Sequence, residues 1–336
     1  MAKKVEAITA VKREDVMFFL SLFKDVEHES YALLRDAGIP NDVFNATYTH
    51  LPENTIKNLI ARLGEQTCKE DFAVNVWLAC KQAYVPRFLQ QVAACLQSTN
   101  PTVKQAIDTF GELLPLASSG GKVSLQQAGG KSWLVREKAF SDEAWFMYAE
   151  WFSVIFLNEL LASLIGDEWQ AKEIGIQHHD ATDFQFLPQL RDVQFYTTRP
   201  VTAILLPDDV LNQPAQLKES SEGCDLGDAI PSSFLAVFKL VISPYLSTGK
   251  LPIKWAAQIL NLNVRTIQRR LDIEGVTYSD VIEQMVLEHA LTMLKTSSHP
   301  ITAIAIKLGY SDSAHFTRAF KRQMKMTPSQ YRKLHR

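Results

Sequence analysis

The residues with the plainest chemical purpose lie in the last third of the chain. Arg265, Gln268 and Arg269 stand three and four positions apart, so they share one face of a helix, with Arg270 beside them. Some 48 to 49 positions later, Ser313, Ala314, Thr317, Arg318, Lys321 and Arg322 make a comparable face. Arginine and glutamine can form paired hydrogen bonds to base edges, and lysine and arginine neutralise phosphate. This is the chemistry of recognising double-stranded DNA.

Such faces need short helices held at a fixed angle. Residues 253–260 (IKWAAQIL) carry Ile253, Ala256, Ala257 and Leu260 at helical spacing. Asn261-Leu262-Asn263 makes a turn, and 264–271 (VRTIQRRL) makes a second helix with Val264, Ile267 and Leu271 on its apolar side. The pattern returns in 301–308 (ITAIAIKL), with Gly309-Tyr310-Ser311 as the turn and Phe316 and Phe320 inside the following helix. Glycine supplies a left-handed turn cheaply, and Ser311-Asp312 can cap the helix that follows. Ala257 and Ala305 are small where paired helices must approach. A helix over 278–295, ~27 Å long at ~1.5 Å per residue, separates the two copies. Two recognition helices so spaced suit successive major grooves, ~34 Å apart on one face of B-DNA. The competing reading is a plain helical bundle with solvated arginines.

Charge separates along the chain. Residues 231–336 hold 8 Lys and 7 Arg against 6 acidic residues, while the whole chain of 336 residues is −2, so residues 1–230 are strongly acidic. An acidic body with a basic end is an arrangement for binding a polyanion.

The segment 231–336 resembles the DNA-binding domain of AraC/XylS-type regulators. The match rests on PITAIAIKLGYSDSAHFTRAFKRQMKMTPSQYRK (300–333) and LNVRTIQRRLDIEG (262–275). Asn261 and Met326 depart from it, each standing where that family commonly has glycine. The resemblance implies a transcription factor, usually an activator, that contacts RNA polymerase. It places base contacts at Arg265, Gln268, Arg269, Ser313, Ala314, Thr317 and Arg318; Lys321 and Arg322 follow on the same helix.

The front of the chain reads as helices followed by a small sheet. Helical stretches are expected over 14–37, from Pro52-Glu53 onward, over 71–80 and 85–97, and from Asn100-Pro101-Thr102 to about residue 116. Strands are expected at 122–128 and 132–138 around Gly129-Gly130, and at 172–179 and 200–206, with an apolar helix over 142–165 between the pairs. The fold class is thus an α+β N-terminal domain (helices, then a small sheet in β-β-α-β-β order), plus an all-α C-terminal domain with two helix-turn-helix units. The boundaries are 1–206 for a regulatory or dimerisation domain, 207–230 for a linker rich in proline, glycine and polar residues, and 231–336 for the DNA-binding domain. Residues 29–206 also resemble the arabinose-binding-type regulatory domain, through DAGIP (36–40) and PVTAILLPDD (200–209). That resemblance implies effector sensing or dimerisation, and the helices-first order disfavours a cupin barrel.

Trp133, Trp145, Tyr148, Trp151 and Arg136 are the candidates for an effector pocket, with Phe152 and Phe156 in the same aromatic-rich group and Arg191 and Arg199 as further arginines able to hold a carboxylate; the plainer reading makes the aromatics core and the arginines surface salt-bridge partners. The apolar patch at 14–23 is either a dimer contact, which would make a homodimer, or a first core helix. His178-His179 on a strand would face opposite sides, which disfavours a shared metal. Cys68, Cys80, Cys95 and Cys224 form no CxxC and no zinc-like pattern with His, and read as isolated thiols in a reducing compartment; redox sensing and metal binding are the alternatives. No Walker loop, GxSxG or HExxH occurs, and no cysteine has the setting an alkyl-transfer enzyme needs. No cofactor and no metal are expected. With no run of ~18 consecutive apolar residues and a charged start, the chain is expected off the membrane, in the cytoplasm. The remaining choice is between a front domain that binds a small-molecule effector and one that only dimerises or docks a protein.

Overall fold

The computed structural model describes residues 7–23, 26–46, 48–96, 98, 100–138, 140, 142–166, 169–218, 224, 229–248 and 251–335. The chain forms two compact units. One comprises Val11–Ile39 and Thr55–Ile230; the other comprises Met1–Ala10, Pro40–Asn54 and Pro231–Arg336.

In chain order the front elements are β1 (Ala10–Lys12), α1 (Arg13–Ser21), α2 (Val26–Ala37), β2 (His50–Pro52), α3 (Asn54–Gln66), α4 (Lys69–Ala79), a π-helical turn at Cys80–Tyr84, α5 (Val85–Cys95) and α6 (Val103–Ala117). Then come β3 (Val123–Ala128), β4 (Lys131–Arg136), α7 (Ala144–Ile165), β5 (Glu173–Gly175), β6 (Gln194–Tyr196), β7 (Thr202–Leu206) and α8 (Asp208–Leu211). Thr102 opens α6 with a capping box: its hydroxyl accepts from Gln105 N–H, and the Gln105 side-chain Oε1 accepts from Thr102 N–H.

The sheet has the order β3-β4-β7-β5-β6. Gly129 (φ 60°) and Gly130 (φ 71°) turn the β3–β4 hairpin, as a two-residue turn with positive φ at both positions requires. Chain order is β-β-α-β-β-β, one strand more than expected. The extra strand, β6, is only three residues long and pairs parallel with β5, so it shows no alternation over a readable window. Strand β5 also ends early. The carboxylate of Glu150 on α7 accepts the N–H groups of Gln177 and His178 and the hydroxyl of Thr202. That carboxylate ties the helix to the sheet and takes donors a longer ladder would have used.

Helix α7 is long and apolar enough to span a membrane by composition, yet 72% of its apolar window is buried. It is the central core helix. Its buried Glu150 is satisfied as above, and Glu159 accepts from the Trp77 indole at 2.8 Å. Phe152 and Phe156 meet Phe88, Phe110, Tyr84, Phe18 and Phe19 in one aromatic cluster. Phe18 stacks on Tyr84 at 4.2 Å, and Val16, Phe19 and Leu20 are buried, so the patch at 14–23 is a core helix of its own unit. Asp15, on the same helix, is buried in an ion pair with Arg87.

Part of the stretch read as linker is docked. Asp208 accepts from Ser132, Ala215 N–H donates to Pro101 O (2.8 Å), and Gln216 N–H donates to Leu164 O (2.7 Å). Residues 219–223 and 225–228 of that reading lie outside the described residues. The cysteines are not all isolated thiols: Cys95 and Cys224 form a disulfide, while Cys80 is buried and Cys68 exposed. A pairing across 129 residues leaves no mark in local spacing.

The other unit holds α9 (Phe234–Ile242), α10 (Ile253–Ile259), α11 (Val264–Ile273), α12 (Tyr278–Thr296), α13 (Ile301–Lys307), α14 (Ser313–Met324) and α15 (Pro328–His335). Strand β2 packs on α9 in this unit, with Leu51 fully buried.

Candidate nucleic-acid interface

Two helix pairs, α10–α11 and α13–α14, are built alike. In the first, Leu262 N–H donates to Ala257 O (2.9 Å) and Asn261 N–H to Gln258 O (3.1 Å). In the second, Tyr310 N–H donates to Ala305 O (3.0 Å) and Gly309 N–H to Ile306 O (2.9 Å). These are the same helix-ending bonds, repeated at the 48-residue offset. Each needs a left-handed residue, Gly309 (φ 76°) in one and Asn261 (φ 50°) in the other. Asparagine is among the few side chains that adopt this region readily, which is why the departure from glycine at 261 leaves the turn intact.

The next helix of each pair then starts on a side-chain cap. Asn263 accepts from Thr266 N–H (2.8 Å), and Asp312 accepts from His315 N–H (2.7 Å), at the 49-residue offset. The His315 N–H bond holds the Asp312 carboxyl below the usual carboxylate range. Ala256, Ala257 and Ala305 are buried between the paired helices, where a larger side chain would force the axes apart. Ile267 and Leu271 anchor α11, and Phe316 and Phe320 anchor α14, with Tyr331 of α15 against Phe320. Thr327 and Gln330 cap α15 reciprocally, after the chain turns through Lys325 (φ 61°). The left-handed residue is thus Lys325, one before Met326.

Anchoring one side of each helix fixes what the other side shows. Arg265, Gln268 and Arg269 are exposed together on α11. Asp272 shares that face near the C-terminal end, an acidic neighbour that helical spacing alone would have revealed. Arg270 is turned away and lies 5.2 Å from the Phe234 ring centroid. On α14, Ala314, Arg318, Lys321 and Arg322 are exposed, and Ser313 and Thr317 are half-buried. The Thr317 hydroxyl donates to Ser313 O (2.7 Å), so only its methyl and lone pairs are left for a ligand. Arg322 pairs with Glu283 of α12 at 3.4 Å. A depression of about 350 Å³ beside α14 is lined by Glu283, Tyr310, His315, Arg318 and Arg322 among others. His315 is exposed one residue beyond Ala314 and was not among the residues singled out from the sequence.

Residues 28–215 match the family described as the arabinose-binding domain of AraC transcription regulators, N-terminal, and residues 256–334 match a helix-turn-helix domain. The chain belongs to the AraC family of transcription regulators. Its C-terminal domain is therefore a DNA-binding domain. Among curated AraC-type relatives, it is 36% identical over 187 residues to the ornithine utilization regulator of Pseudomonas aeruginosa, covering 52% of this chain and 54% of that one. It is 38% identical over 76 residues to the regulator VqsM of the same organism, covering 23% of each. The chain thus spans about half the length, or less, of these relatives. Among solved structures, the regulator CdpR from Pseudomonas aeruginosa aligns over 95% of this chain and 97% of its own, at 17% identity and a TM-score of 0.33.

The five residues singled out for an effector pocket are not gathered at one place. Cross-strand partners share a sheet face. Arg136 pairs with Thr202, whose hydroxyl meets Glu150, so both lie on the α7 side. Trp133 pairs with Leu205 on the opposite face. Trp151 is buried against Phe72 and Phe184. The Tyr148 ring fills the space left by the missing side chain of Gly64 and donates its hydroxyl to Gly64 O (3.0 Å). Trp145 is half-buried, with Lys57 and Lys138 over its ring at 5.0 and 5.5 Å. His178 and His179 lie beyond the end of β5 with ring centroids 4.2 Å apart, so the opposite-face argument does not apply to them. Among the described residues, no group of three or more metal-ligating side chains occurs.

Proposed function

We propose that the chain binds double-stranded DNA through both helix pairs as helix-turn-helix units, with α11 and α14 reading successive segments of the major groove. The observation carrying this reading is the exact repetition of turn and cap bonds at offsets of 48 and 49 residues, each presenting an arginine-bearing face. Arg265, Gln268 and Arg269 contact bases in one segment. Ser313, Ala314, Thr317 and Arg318 do so in the other, and Lys321 and Arg322 meet phosphates. Residues 231–336 are the DNA-binding domain, 1–206 the regulatory domain and 207–230 the connection between them. The protein acts in the cytoplasm, as an activator that contacts RNA polymerase. Hydroxyl-radical footprinting of the full chain on a selected site tests the geometry. Two protected patches on one face of the duplex, about 10 base pairs apart, are expected. A single patch overturns the two-unit reading.

The same proposal gives the front unit control of binding by a small-molecule effector, with Arg136 and the exposed side of Trp145 and Tyr148 as the groups that would meet it. Trp133 and Trp151 support the sheet and the core. Native mass spectrometry before and after denaturation tests this: a stoichiometric small molecule released on denaturation supports sensing. A ligand-free dimer in the native run, giving only monomer mass after denaturation, favours the second reading, a front unit that only dimerises or docks a protein.

A further inference from the structure

A second depression, of about 420 Å³, lies in the unit that holds the DNA-binding helices. One wall is Tyr48 and Thr49, in the segment Pro40–Asn54; the other is α9, Ser243 just after it, and α12. We propose that this cavity binds a free α-amino acid with an apolar side chain, as an effector site separate from the one proposed for the front unit.

Two opposite charges set the recognition chemistry. Lys239 on α9 and Glu288 on α12 both line the cavity. The Gln284 amide stands between them: Lys239 Nζ donates to Gln284 Oε1 at 3.1 Å, and Gln284 Nε2 donates to Glu288 Oε1 at 3.0 Å. An ammonium can only donate and a carboxylate can only accept, so this order of amide oxygen and nitrogen is fixed. The bridge holds a positive and a negative pole one small group apart. An α-amino acid carries its carboxylate and its ammonium on one carbon, in the same order as the amide and with full charges. Its carboxylate meets Lys239 and its ammonium meets Glu288. A simple carboxylate would face Glu288 as well as Lys239, and a simple amine would face Lys239 as well as Glu288, so either single charge is opposed. The same acidic group disfavours a nucleic-acid phosphate.

The rest of the lining is neutral. The Ser243 hydroxyl and His289 Nε2 are hydrogen-bonded at 2.9 Å, and burial holds His289 below its usual range, with Glu288 opposing, so this pair adds no charge at neutral pH. Ala236, Leu240 and Met285 supply the apolar surface for a side chain, with methionine adapting to its shape. The volume falls within the roughly 300–1,000 Å³ usual for small-molecule sites. A ligand touching both walls holds Tyr48 and Thr49 against α9 and α12. Their segment continues at both ends into the regulatory unit, at Ile39 and Thr55, so occupancy acts on the piece of front chain that covers α9.

Isothermal titration calorimetry of the full chain with leucine, 4-methylpentanoate and isoamylamine tests the two poles, because the last two are leucine without its ammonium and leucine without its carboxylate. Leucine should bind saturably, and each analogue about tenfold or more weakly. Lys239→Gln and Glu288→Gln should each weaken leucine by about tenfold or more. Hydrogen exchange at residues 48–52 and along α9 should slow when leucine is added. Equal binding of leucine and its analogues overturns the site, as does no saturable binding of leucine or methionine up to about 10 mM. Leucine binding that survives both substitutions, with protection confined to residues 55–206, also overturns it and puts the ligand in the front unit instead.

Discussion

Arg318 stands at the middle of the exposed face of α14, opposite the buried Phe316 and Phe320. Truncating it to alanine removes no buried surface and no cap, so the helix and its turn should stay as they are. The cost then falls on binding. A bidentate contact from an arginine to a guanine edge is worth about 1–3 kcal/mol, or roughly 5- to 150-fold in Kd. A phosphate contact behaves differently: it weakens binding to every sequence alike and lowers the slope of log K against log salt by about 0.9. Arg318→Ala should therefore lose at least fivefold on a selected site, much less on random DNA, and keep its salt slope. Arg322→Ala, whose side chain already pairs with Glu283, should show the phosphate pattern. Anisotropy titrations on both DNAs at four salt concentrations separate the two. Equal loss on both DNAs for Arg318→Ala, with the slope reduced by about one, would refute base reading by this residue.

Two further perturbations test the frame. Arg87→Met strands the buried Asp15 carboxylate, and breaking such a pair costs about 3–5 kcal/mol at neutral pH. Burial already holds the Asp15 carboxyl above its usual range, with Arg87 opposing. A raised carboxyl stabilises the folded state at low pH and loses that contribution as pH rises through its folded pKa, so the variant should recover in urea melts between pH 7.5 and pH 5; a pH-independent loss would contradict this. His289 is held below its usual 6.5 by burial, with Glu288 opposing and the Ser243 hydroxyl at 2.9 Å. Its contribution is present above pH 6.5 and lost as pH falls through the folded pKa. His289→Gln should flatten the decline in urea midpoint from pH 7 to pH 5, and an unchanged slope would remove His289 as its source.

What could be read from the sequence depended on how local each signal was. The paired helices were legible because the apolar spacing, the turn residue and the cap all lie within about twenty positions and occur twice. The β3–β4 hairpin was legible from Gly129-Gly130, and the α6 start from Pro101-Thr102. Strand β6 was not, since three residues carry no period. The Cys95–Cys224 bond was not, since its partners meet only through the tertiary fold. The five effector candidates are spread over the fold for a related reason. Trp133 and Arg136 are close in sequence, but odd spacing on a strand sends them to opposite faces, and Trp151 is buried against Phe72 and Phe184 while Tyr148, packed on Gly64, stays half-buried.

The place of residues 40–54 leads to a last prediction. Composition divides the chain near residue 230, yet Pro40–Asn54 clusters with the DNA-binding helices, and β2 lies against α9. Helix α9 is apolar on the side it buries, through Phe234, Val237, Phe238, Val241 and Ile242. A fragment of 231–336 alone loses the cover that β2 supplies to this helix. Burying one leucine is worth about 1.5–3 kcal/mol, and Leu51 is fully buried in the intact chain, so the missing strand sets a loss of that order. The recognition faces of α11 and α14 do not involve β2. The fragment should therefore bind DNA at low salt while unfolding at lower urea than the same fragment fused to 40–54 through a flexible linker. Identical urea midpoints would show that α9 needs no cover and that the strand merely rests there. A fragment that folds and ignores DNA would instead remove the basis of the proposed interface.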